Sequence, residues 1–279
     1  MNRFINMLQS LMCNHATNKI GNGMNRFPTD EEFGAIQSKY PTPELELIRQ
    51  DIASEIKSNF GSENLESLFL SVEIDDWIIH LGNRMIQARD SYHLMMFYFD
   101  RGIPDERPWI SPGKDGESIS YFPDFQESDF SNMARFNFYA DTFFSKLYSA
   151  FDSTGHLLKG IHQVNLPPKR VYFTTVVEEL NKSGNSIGKE LQVLVDNPEF
   201  EKLNSIRNDI THNFLPGMHG GSIQRSFSGK ALKEITFGVG KYVKAIEIVS
   251  IANDSLKLFN SVLCAADLRS TLYKDKGEQ

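Results

Sequence analysis

Apolar residues recur at spacings of three and four along most of the chain, which predicts helices almost throughout. Pro41-Thr42-Pro43 opens the first clear one, with Thr42 as N-cap and Pro43 at the first helical position. Leu45, Ile48, Ile52 and Ile56 continue it, and Phe60-Gly61-Ser62 ends it. A long apolar segment then runs from Leu65 to Phe99, read as two helices broken near Gly82, although Leu68 to Ile74 also alternates as a strand would. Four prolines and three glycines fall within 101–124, so this stretch is a loop, either a domain boundary or a functional flap. Beyond Asp129, Phe136, Tyr139, Phe143, Leu147, Ala150 and Phe151 resume the helical period, and Pro167-Pro168 stops it. Further helices follow at Val171–Leu180, Ile187–Val195 and Pro198–Phe214, with a last one from about Lys241 to Leu268. Ser222–Phe227 and Ala231–Phe237 alternate around Ser228-Gly229-Lys230 and predict a hairpin ahead of that last helix. The expected fold is mainly α: an antiparallel bundle of four or five helices over 129–271, with the hairpin inserted. An acidic, mostly helical N-terminal region occupies 1–128, and 272–279 form a tail.

Charge is uneven. Residues 1–130 hold 11 Lys and Arg against 21 Asp and Glu, whereas 131–279 hold 18 against 15. A net charge of −7 without a basic stripe disfavours extended duplex-DNA binding, yet leaves room for a small RNA contact in the second half. No apolar run approaches the ~18 residues of a membrane span. Cys13 and Cys264 cannot build a disulfide framework or a zinc site of paired cysteines. The expectation is a cytoplasmic protein with no membrane association, no cofactor and no metal.

One segment carries chemistry. Asn197 is a natural N-cap before Pro198, and Phe200, Leu203, Ile206, Ile210 and Phe214 make an apolar stripe. Arg207 flanks that stripe, while His212 falls nearly opposite it and shares a face with Asn208 at i, i+4. Arg207-Asn208-Asp209-Ile210-Thr211-His212, on the penultimate bundle helix, resembles the motif of the HEPN domain: Arg, a polar residue, and His a few positions on. The resemblance implies a metal-independent endoribonuclease or RNA-binding protein of toxin or defence type. It implies a homodimer in which two motifs form one cleft, with Arg207, Asn208 and His212 as catalytic residues. The family also contains members that bind nucleotides or scaffold without cleaving, so a non-catalytic interaction module is the rival reading.

Other clusters rank below it. His219, in the Gly-rich loop after the motif helix, and Arg225, on the first hairpin strand, are candidate RNA contacts. Glu73, Asp76 and His80 line one helix face as metal ligands can, although a solvated acidic face explains them as well. Asp152 and His156 read as an ordinary i, i+4 hydrogen bond. Ser226–Lys230 lacks P-loop spacing.

Overall fold

The computed structural model describes residues 26–45, 48–60, 65–111, 119–212, 217, 223–229, 231–238 and 240–269. The described helices are α1 (Asp30–Lys39), α2 (Ile52–Phe60), α3 (Leu65–Asp100), α4 (Glu127–Ile161), α5 (Phe173–Lys182), α6 (Ser186–Val195), α7 (Pro198–His212) and α8 (Ala245–Ala265). Two antiparallel pairs accompany them: β1 (Ile110–Ser111) with β2 (Ser120–Tyr121), and β3 (Ile223–Ser228) with β4 (Ala231–Phe237). The mainly α bundle with a hairpin between its last two helices is therefore present. The β3–β4 register runs from Ile223↔Phe237 to Ser228↔Ala231, with a bulge at Ser226/Phe227.

Two expected elements differ. Leu65 to Asp100 is one uninterrupted helix, and Gly82 does not break it. A helical glycine costs only ~1 kcal/mol against alanine. Around it, Ser71, Ile74, Ile78, Leu81, Met85, Ala88 and Tyr92 are buried at alternating spacings of three and four, and the burial of that stripe outweighs one glycine. The helix expected from Pro43 is instead a single 3-10 turn (Pro43–Leu45), followed by extended backbone at Ile48 and then by α2. The competitor is the chain after α8. Ile48 bridges Arg269, Arg49 N–H donates to the Leu268 carbonyl (2.9 Å), and the Arg269 guanidinium donates to the Pro43 and Glu44 carbonyls. Carbonyls that would have continued a helix are taken by that arginine.

The chain forms two compact units, one of Met1–Tyr40, His93–Ala140 and Asn213–Val249, the other of Pro41–Tyr92, Asp141–His212 and Ser250–Gln279. In the first, Trp109 and Phe122 of the Pro/Gly-rich stretch join Phe125, Met133 and Tyr242 in one apolar cluster. Asp105 holds that loop by accepting from the Tyr242 hydroxyl (2.7 Å) and the Ile246 N–H (3.3 Å), at the start of α8. In the second, Phe151 of α4 is the hub. Its ring meets Phe173 of α5, Phe200 of α7 and Phe259 of α8 at centroid distances of 5.4, 5.6 and 4.9 Å. All four are buried. Edge-to-face packing of this kind fixes helix orientation as well as burying area, and it sets α7 against α4.

Candidate functional site

Helix α7 begins as its sequence dictates: Asn197 Oδ1 accepts from the Glu199 N–H at 2.9 Å, capping a helix whose Pro198 has no N–H to satisfy. Phe200, Leu203 and Ile206 are buried, which places the guanidinium of Arg207 at the rim of the core. Arg207 is half-buried and lies over the ring of Tyr148 on α4, its Cζ 4.9 Å from the ring centroid. Nη1 donates to Asn208 Oδ1 at 3.0 Å. Among the described residues no carboxylate pairs with this arginine within 4 Å, so most of its five donors stay available. Asn208 is thereby turned to Arg207 rather than to His212.

One helical turn along α4 from Tyr148 lies Asp152. Its Oδ1 accepts from the Phe173 N–H (3.2 Å) at the first residue of α5, where an anion suits the helix dipole. Burial pushes the Asp152 carboxyl above its ordinary value, against the opposing pull of the Phe173 N–H and the Arg207 charge. Burial likewise raises the Tyr148 phenol, and the Asp152 charge adds to the effect. Tyr148, Asp152, Arg207 and Asn208 therefore form one electrostatic cluster on two helices. Sequence reasoning missed Tyr148 and Asp152 as members. The signal available was that the two stand at i, i+4 along the edge of the buried Phe144, Leu147 and Phe151 face, while Arg207 needed a surface on which to lie.

His212 ends α7 and is exposed. It lies five positions after Arg207, about 140° around the axis and ~7.5 Å along it, so within one chain the two side chains diverge. Arg225 is exposed on β3 opposite Ile235, in the other compact unit. His219 lies outside the described residues. Asp152 and His156 do not pair: the His156 ring stacks on Trp77 at 3.8 Å and 12°. No group of three or more His, Cys, Asp or Glu able to hold a metal ion occurs among the described residues, Glu73, Asp76 and His80 included. Nor is any described helix long and apolar enough to cross a membrane.

A family model of Cthe2314-like HEPN domains matches residues 77–264. The chain belongs to the HEPN superfamily. The HEPN match takes in α3 from Trp77, all of α4 to α7, the hairpin and nearly all of α8, so the Arg207–His212 segment lies inside it. No curated protein and no solved structure matches the chain.

Proposed function

We propose that this HEPN protein is a metal-independent endoribonuclease acting as a homodimer, with Arg207 and His212 as its catalytic residues and Asn208 as orienter. The observation that carries the reading is the division of labour on α7. Arg207 is pre-organised on Tyr148 with donors to spare, and His212 is exposed at the helix end. In the reaction, a ribose 2′-oxygen attacks the adjacent phosphorus, its proton passes to a base, and the 5′-oxygen leaves as an alcohol after receiving a proton. The product end is a 2′,3′-cyclic phosphate. Imidazole, with an unperturbed pKa near ~6.5, serves as base when neutral and acid when protonated. One imidazole cannot hold both states at once, so the two proton transfers call for His212 from each of two copies. A guanidinium supplies permanent charge and a planar fork of donors to the phosphorane oxygens. Because Arg207 and His212 diverge on their own helix, a cleft between copies is also the arrangement that brings an arginine and a histidine to one phosphate. A toxin or defence role fits such an activity.

The test is cleavage of a mixed RNA pool in excess EDTA by wild type and by His212→Ala. Wild type is expected to leave 2′,3′-cyclic phosphate ends, and the variant to lose at least ~10²-fold in rate, the scale of one acid–base group. Equal cleavage by both proteins removes His212 from the reaction. No cleavage by wild type refutes the nuclease reading and leaves HEPN as a non-catalytic binding module.

A further inference from the structure

Where α4 begins, Arg26, Arg101 and Arg135 line one cleft of the first compact unit with Ser128 and Ser131, and no carboxylate lines it. Three like charges repel, so their convergence costs free energy unless something negative answers it. Two of the guanidiniums lie on aromatic rings. Arg101 Cζ is 5.7 Å from the Phe97 centroid, and Arg135 Cζ is 5.8 and 5.7 Å from those of Phe27 and Tyr98. Buried Asn132 fixes Arg101 further, accepting from its Nε at 3.1 Å and donating to the Gly102 carbonyl at 3.2 Å. Neither Nη of Arg101 meets an acceptor among the described residues, so four of its five donors are open.

The neighbouring acids are engaged elsewhere or counted already. Asp100 accepts from Lys39 Nζ and the Tyr40 hydroxyl, both at 2.6 Å, and Asp129 accepts from the Gln126 N–H at 2.8 Å. Glu32 pairs with Arg26, and with that carboxylate included the cleft still keeps two positive charges. Its hydroxyls are also unspent. Further along α4, Ser149, Ser153 and Thr154 each donate to the carbonyl four residues back, whereas Ser128 and Ser131 hydrogen-bond no described residue. The lining therefore offers guanidinium forks and two hydroxyls around a net charge of two. That complements a phosphate monoester, which presents three acceptor oxygens and carries about −1.5 to −2 at pH 7. A phosphodiester carries a single charge and would leave one guanidinium unanswered. The floor of the cleft admits about one oxygen-sized group, so one phosphate oxygen enters and the ester stays outside.

We propose that this cleft binds a terminal phosphate monoester, carried either by a free nucleotide or by the 5′ end of an RNA. It shares no residue with the Arg207–His212 segment, so it stands or falls apart from the nuclease reading. Calorimetry with adenosine 5′-monophosphate and with adenosine tests the first source. Fluorescence anisotropy with a 2′-O-methyl hexanucleotide, 5′-phosphorylated or 5′-hydroxyl, tests the second; its blocked 2′-oxygen cannot attack, so it stays intact. In at least one pair the phosphorylated ligand is expected to bind at least ~10-fold more tightly, the scale of a charged hydrogen bond. Arg101→Gln abolishes that preference. Ser128→Ala/Ser131→Ala breaks no hydrogen bond among the described residues, so it reduces the preference roughly 5-fold without lowering the melting temperature. Equal affinity with and without the phosphate in both pairs would overturn the proposal. So would a preference that neither Arg101→Gln nor the serine pair diminishes, or one that Arg207→Ala removes while Arg101→Gln does not.

Discussion

Two glycines inside long helices should respond to alanine in opposite directions. Gly82 sits in α3 with space around it; an added Cβ would meet only Ile48 Cδ1, at 3.9 Å, an ordinary van der Waals contact. Gly82→Ala is therefore expected to stabilise by about 1 kcal/mol, the difference in helix propensity. Gly155 sits in α4 against the first residues of α5, and its added Cβ would lie 2.8 Å from Phe173 Cα and 2.9 Å from Phe173 N. The obstacle is backbone, so it cannot rotate aside, and α5 cannot shift without dragging the buried Phe173 ring from Phe151. Overpacking of this kind costs ~1–3 kcal/mol. Displacing the Phe173 N–H from the Asp152 carboxylate adds ~1.5–3 kcal/mol if that bond is lost outright. Set against the ~1 kcal/mol propensity gain, Gly155→Ala comes out destabilised by roughly 2 kcal/mol. The two variants then differ by about 3 kcal/mol, which at ~2–4 °C per kcal/mol separates their melting temperatures by roughly 6–12 °C. Thermal melts followed by far-UV circular dichroism measure it. A Gly155→Ala protein as stable as wild type would refute the claim that close approach of the α5 backbone, rather than chance, explains glycine there.

The remaining predictions concern pH. Burial holds the Asp152 carboxyl above its ordinary 3.8, so the folded protein binds that proton more tightly than the unfolded chain. Stability contributed there falls as pH rises from 3.8 through the folded value, and is level beyond it. Asp152→Asn keeps an oxygen for the Phe173 N–H and lacks the fall, so its melting temperature should gain on wild type across that window; a constant difference would be the refuting result. His156 moves the other way, because burial and then Lys159 lower it from 6.5. The unfolded chain takes up that proton first, and stability is lost as pH drops below 6.5 through the folded value. His156→Phe preserves a ring against Trp77 without titrating, so its urea midpoint should decline less than wild type's on acidification; an equal decline would show that other groups carry the loss.

What could be read from the sequence and what could not divide by distance along the chain. Helix α7, its Asn197 cap, its buried stripe, the rim position of Arg207 and the exposure of His212 all follow from neighbours within five residues. The hairpin after it follows from alternation and a Gly-containing turn. Contacts made across long separations were invisible: Arg207 on Tyr148, Asp152 at the start of α5, and the strand-like pairing of Ile48 with Arg269 that replaced an expected helix. Asp152 shows why local rules fail where they do. An i, i+4 pair on a helix is worth only ~0.2–0.5 kcal/mol, so the spacing of Asp152 and His156 licensed a contact without securing it. A carboxylate hydrogen-bonded to a buried N–H at a helix start is worth ~1.5–3 kcal/mol, and a ring stacked on Trp77 serves the imidazole better than a shared hydrogen bond. Each partner left the weaker local pairing for a stronger distant one. That exchange also put a carboxylate beside Tyr148 and Arg207, so the tertiary contact that defeated the local rule is the one that completed the cluster around the arginine.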